Sequence, residues 1–157
     1  MSRVAHASVE VFADYHQFYV QDGGISPPAP ENWTADDMAS RVKVAECVVV
    51  VCPFRDSRVP VELELHDAKP AQSTEEWHHV VHCSLALPTG HLQVHECTGG
   101  PVLDWHINPG QYELLVLFGG LATGSGNDLP EQDHYKVLLW PGRSAPLSVT
   151  RSWSAGG

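Results

Sequence analysis

The sequence predicts an all-β fold, a two-sheet antiparallel β-sandwich with one short helix near residues 34–46. Three observations carry this. Most apolar segments alternate with period two, glycine- and proline-bearing turn signals recur at the spacing of short strands, and a single stretch shows helical spacing. At 157 residues the chain fits one domain, 1–157, and is long enough to bury a full core, with weak patterning after Pro141 that predicts a flexible tail from about residue 145.

The first strand runs through Val9 to Phe18. Strand geometry puts Val9, Val11, Ala13, Tyr15 and Gln17 on one face and Glu10, Phe12, Asp14, His16 and Phe18 on the other. Polar groups on both faces need a reason, which is either an edge strand bonded to loops or a binding site. Gly23 to Pro30 is a non-regular connector. It leads to the helix, where Thr34 offers an N-cap hydroxyl, Asp36 and Asp37 favour the first turn, and Met38, Val42 and Ala45 form one apolar stripe with Arg41 and Lys43 outside.

Strands follow at Cys47–Cys52, Val59–Leu65, Trp77–Leu87, His91–Glu96, Tyr112–Phe118 and His134–Trp140, with a weaker candidate at Asp104–Ile107. Tyr112–Phe118 is apolar on both faces and belongs in the middle of a sheet. Thr89-Gly90 reads as a two-residue hairpin turn, which sets Leu87 opposite Leu92, Leu85 opposite Val94 and Ser84 opposite His95.

Nineteen acidic residues against nine basic ones give a formal charge of −10, which disfavours direct nucleic-acid and membrane contact and favours a basic protein partner. The longest apolar run, around Val48–Val51, is too short to cross a bilayer, and His6, Glu10 and Asp14 interrupt any leader, so a cytoplasmic location is expected. Cys47 and Cys52 flank a strand about 16 Å long and face opposite ways. Cys83 and Cys97 also face opposite ways in the hairpin register, so all four cysteines are expected as reduced thiols.

Ten histidines raise the metal question. The hairpin register places His82 diagonal to His95, yet no third ligand is close, so no metal and no other cofactor is expected. A second polar cluster, Asp133-His134-Tyr135, repeats the side-chain types of Asp14-Tyr15-His16. Were the two strands neighbours, Asp14, His16, Asp133 and His134 would suit acid–base chemistry in a small-ligand or metal-dependent enzyme. No nucleophile elbow, phosphate-binding glycine loop or zinc motif accompanies them, which favours a non-enzyme. Trp33 ends the proline-rich connector, where it either staples the helix or anchors a partner.

Tyr15-His16-Gln17-Phe18, then Asn32-Trp33-Thr34 with Asp36 and Asp37, then Pro109-Gly110-Gln111-Tyr112 resembles the bacterial competence protein J family, inhibitors of a DNA-uptake nuclease. The chain departs from that pattern by extra residues in the 119–131 loop, by its many histidines and by a longer tail. The resemblance implies a non-enzymatic acidic protein that blocks the basic nucleic-acid groove of a nuclease. On that reading the contacting surface comprises Asp14, Tyr15, His16, Trp33, Asp128, Glu131, Asp133 and His134.

Overall fold

A computed structural model describes residues 3–121 and 132–153. Among these residues eleven strands form two sheets: β1 (Arg3–Phe12), β2 (Phe18–Asp22), β3 (Val42–Ala45), β4 (Val48–Val51), β5 (Arg58–His66), β6 (His79–Leu87), β7 (His91–Glu96), β8 (Pro101–His106), β9 (Gly110–Gly119), β10 (His134–Pro141) and β11 (Ser148–Arg151). One sheet has the order β1-β5-β10-β9-β6-β11 and the other β3-β4-β2-β7-β8. The predicted sandwich is therefore the observed fold. All pairings are antiparallel but one: β10 lies antiparallel to β9 and parallel to β5. The chain between β5 and β10 passes through four other strands, which is the long crossover a parallel pair requires.

The core lies between the sheets. Val9, Val11, Val59, Val61, Leu63, Leu114, Val116 and Phe118 face Phe18, Val20, Val49, Val51, Leu92 and Val94 across it. β9 is apolar on its outer face as well, where Leu115 and Leu117 meet Trp77, Val80, Leu138 and Trp140, which explains its central place. The five-stranded sheet is likewise covered at one corner of its outer face, by Tyr19, Val48, Val50 and the half-buried Trp33.

Three local expectations are corrected. The helix α1 spans only Ala35–Ser40, not 34–46. Its start is as predicted: the Thr34 hydroxyl accepts the Asp37 amide at 3.1 Å and the Asp37 carboxylate accepts the Thr34 amide at 2.9 Å. Arg41 then turns left-handed at φ 61°, and Val42–Ala45 pairs with β4, burying Val42 completely. The β-branched valines at 42 and 44 fit the strand period better than a third helical turn.

Thr89-Gly90 does turn the chain, with the Gly90 amide donating to the Leu87 carbonyl at 3.1 Å, yet it carries the chain from one sheet to the other. β6 pairs with β9 and β11, and β7 with β2 and β8, so the expected β6–β7 hairpin register does not form. Gly90 sits at φ 72°, and a Cβ there would lie 2.1 Å from the Ile107 carbonyl oxygen. Finally, the stretch expected as a tail from about residue 145 forms β11 on the edge of β6, and Trp153 packs edge-on against Phe54 at 4.8 Å.

The four cysteines are unpaired. Burial pushes the Cys83 thiol up to about 12, and burial, against the nearby Arg41 charge, does the same for Cys52. Since the thiolate is the reactive form, iodoacetamide near neutral pH is expected to leave Cys83 and Cys52 unmodified in the folded protein and to modify all four cysteines after denaturation without reductant. Peptide mapping checks this; rapid native labelling of Cys83 would contradict its burial.

Candidate functional site

The chain must cross from the six-stranded sheet to the five-stranded one between β1 and β2, and it does so through Asp14-Tyr15-His16. These residues form a single 3-10 turn and not the strand continuation expected from alternation. Tyr15 (φ 58°) and His16 (φ 57°) are both left-handed, a conformation costing non-glycine residues about 1 kcal/mol or more each. The surroundings hold it. The Tyr15 amide donates to Asp14 and Asp56 carboxylate oxygens, each at 3.1 Å. The His16 ring Nδ1 meets the Pro53 carbonyl at 3.2 Å, the Ala13 amide donates to the Ser57 carbonyl at 2.8 Å, and the Thr98 hydroxyl donates to Asp14 at 2.8 Å. With the backbone fixed in this way, the Tyr15 ring stands out at 68 % exposure.

Beside it runs a groove of about 490 Å³ lined by Tyr15, His16, Gln17, Trp33, Met38, Arg41 and Cys52. Met38, 65 % exposed, is offered by the short helix. The Arg41 guanidinium lies 3.2 Å over the Phe54 ring, and its left-handed backbone at the helix end directs it there. Trp33 rests on the Tyr19–Val48–Val50 patch, with the Lys43 ammonium 5.6 Å from its ring and Lys43 itself paired to Asp37 at 2.5 Å. Burial, then its bond to Cys97, pushes the Tyr19 phenol up. Tyr19 and Cys52 are thus neutral at ordinary pH. Of these two groups only Cys52 lines the groove, where it offers a protonated thiol.

Asp133-His134-Tyr135 sits elsewhere and is differently used. Asp133 is only 5 % exposed, pairs with Arg55 at 2.6 Å and accepts the Tyr135 hydroxyl at 2.5 Å. The Tyr135 oxygen in turn accepts the Phe54 amide at 2.8 Å. His134 is exposed, with Nδ1 2.9 Å from the Gln132 carbonyl and its ring 5.1 Å from that of Trp77. Both polar clusters touch the β4–β5 connection, one at Pro53 and Asp56, the other at Phe54 and Arg55. They are joined through that segment and not side chain to side chain, so the four-residue acid–base centre considered from sequence is not assembled. Asp128 and Glu131 lie outside the described residues.

His82 and His95 are likewise not a pair. His82 is on the six-stranded sheet, bonded to Glu113 at 2.9 Å, while His95 is on the five-stranded sheet, stacked near Tyr19. Sequence reasoning found Tyr15, His16 and Trp33 but missed Met38, Arg41, Phe54 and Asp56. Their roles depend on the crossing of two distant segments.

The class defined by this geometry is a two-sheet β-sandwich whose inter-sheet turns build a rigid aromatic groove. Two solved structures share the sandwich fold. One is ComJ from Bacillus subtilis, described as an inhibitor of the DNA-degrading activity of NucA: TM-score 0.68, 13% identity, 90% of this chain and 98% of that one covered. The other is the product of crocagin biosynthetic gene J: TM-score 0.60, 19% identity, 91% and 100% covered. At these identities the likeness establishes the fold. No family model and no curated protein sequence matches the chain.

Proposed function

We propose that this protein is a non-enzymatic binding protein that inhibits a DNA-degrading nuclease by covering its basic nucleic-acid surface. The observation that carries the proposal is the strained turn that presents Tyr15 beside a groove and between carboxylates. An exposed aromatic ring on a turn held by the five contacts named above loses little freedom on binding. The formal charge of −10 suits a basic partner, because carboxylates take the places of phosphates and steer encounter. The described fold of an inhibitor of a DNA-degrading activity supports the same reading.

The contacting residues on this reading are Asp14, Tyr15, His16 and Trp33, with Asp128, Glu131 and His134 as further contacts expected from the sequence. Asp133 acts from beneath by holding Arg55. Four unpaired thiols fit a cytoplasmic site of action, and among the described residues no helix is long and apolar enough to cross a membrane.

The test is to titrate the protein into nucleases encoded by the same genome and record DNA cleavage. Tyr15→Ala is expected to raise Kd by about 30-fold or more, the effect of a central aromatic anchor, and to leave the unfolding midpoint unchanged. Asp128→Asn with Glu131→Gln should lower the association rate several-fold, and added salt should do the same, since screening shortens to about 8 Å at 0.15 M. If micromolar protein slows none of these nucleases, the proposal fails.

A further inference from the structure

The outer face of the five-stranded sheet carries a second polar constellation, at the other end of β7 from the Tyr15 turn. Glu96, at one end of β7, accepts the Phe12 amide, whereas His91 opens the strand about 17 Å away. His91 and Gln93 are two residues apart on β7, and Asp104 and His106 two apart on β8. In the observed register His91 stands directly opposite His106 and Gln93 opposite Asp104. All four side chains therefore share one face, while Leu92 and Val94 point into the core.

We infer that His91, Asp104 and His106 form a binding site for a divalent transition-metal ion of the zinc type, with the fourth position left to water. One ligand atom from each residue lies within 4.8 Å of the other two. The His91 Nε2 contacts Asp104 Oδ1, His106 Nε2 is 4.0 Å from the same oxygen, and the two imidazole rings stack at 4.5 Å with 21° between their planes. Tetrahedral zinc with bonds of 2.0–2.1 Å separates its ligand atoms by about 3.3 Å, so small side-chain rotations bring all three into place. Gln93 donates to the second carboxylate oxygen of Asp104 at 3.2 Å, the kind of outer contact that orients a ligating carboxylate. Two neutral imidazoles and one carboxylate are donors that borderline divalent ions prefer over calcium or magnesium.

The other acid–histidine cluster lacks this character. In His6–Glu62–Glu64 the Glu64 carboxylate already meets the Lys136 and Arg3 cations at 3.2 and 3.7 Å and the His66 ring at 2.8 Å, so its charge is already compensated. Among the described residues Asp104 faces the His91 and His106 imidazoles and the Gln93 amide.

The test uses the full chain without an affinity tag, dialysed against chelator and titrated with zinc chloride, with cobalt chloride as the spectroscopic probe. Saturable uptake of one zinc per chain at micromolar concentration is expected, with an intense visible band for the cobalt form marking a tetrahedral site. The His106 side chain is 80% exposed, so His106→Ala should abolish uptake without changing the melting temperature of the metal-free protein. Asp104→Asn should weaken uptake at least tenfold, whereas His6→Ala and His82→Ala should not alter it. No saturable uptake below millimolar zinc, or uptake that survives His106→Ala, would overturn the assignment.

Discussion

Replacing Arg55 with methionine is expected to destabilise the protein by about 3 kcal/mol, because it leaves the Asp133 carboxylate buried without its counter-charge. Asp133 is 5% exposed, and its two oxygens are taken by Arg55 at 2.6 Å and by the Tyr135 hydroxyl at 2.5 Å. The guanidinium is itself mostly covered, its side chain 21% exposed. For a chain of this size such a loss lowers Tm by about 6–12 °C. The effect should extend beyond the pair, since Tyr135 also accepts the Phe54 amide and Phe54 carries Arg41 on its ring. Asp133→Asn alone should cost less, as the amide oxygen still accepts a hydrogen bond. The double variant should cost less than the sum of the two singles, because no lone charge remains buried. Urea unfolding with an unchanged slope is the measurement. A cost for Arg55→Met below about 1 kcal/mol would place the pair among ordinary surface ion pairs.

Sequence reading recovered the sandwich for a physical reason: each strand announces itself locally. The run Val48–Val51, the alternation in Arg58–His66 and the two-faced Gly110–Gly119 all follow from burial on one or both faces. Which sheet a strand joins is not local. Thr89-Gly90 has hairpin chemistry, yet the buried carboxylate of Asp22, 67 residues away, accepts the Thr89 amide at 2.8 Å and its hydroxyl as well, while the Ile107 amide donates to the Gly90 carbonyl at 2.8 Å. Those bonds tie the turn to the end of β2 and pull β7 into the other sheet. Val42-Lys43-Val44-Ala45 satisfies both a period of two and a spacing of three, so the sequence alone extends the helix past Ser40, where the structure has a strand. The candidate site was half visible. Tyr15, His16 and Trp33 stood out as polar or aromatic residues in unusual places, but left-handed backbone at Tyr15 and His16 has no signature in residue type. Arg41 and Asp56 acquire their roles only where the β4–β5 connection passes the turn.

The same limit hid the chain's buried histidine. His79 is fully buried, and both of its ring nitrogens are used: one nitrogen lies 2.7 Å from the Ser40 carbonyl, and the other accepts the Trp153 amide at 3.2 Å. The ring also stands edge-on to Phe118 at 4.9 Å. Only the neutral tautomer with hydrogen on Nε2 suits this setting, because a proton on Nδ1 would confront the Trp153 N–H. Burial, and the Arg41 charge, hold the imidazole below its ordinary value of 6.5, outweighing the bond to Ser40. The sign follows directly. The unfolded chain binds the proton more readily, so the stabilisation is complete above about pH 6.5 and is lost as pH falls below it, with a slope of up to about 1.4 kcal/mol per pH unit. His79→Ala is expected to cost about 3–5 kcal/mol at neutral pH, since it opens a cavity and leaves the Ser40 carbonyl and Trp153 amide without partners. It should also flatten the acid limb of the stability curve relative to the unsubstituted protein. Because Ser40 ends the helix beside Arg41, and Trp153 packs on Phe54, the variant should loosen the groove together with the C-terminal strand. Urea titrations of both proteins between pH 5 and 8 decide the matter: parallel curves across that range would show that His79 binds its proton equally readily in the folded and the unfolded chain, which overturns the expectation.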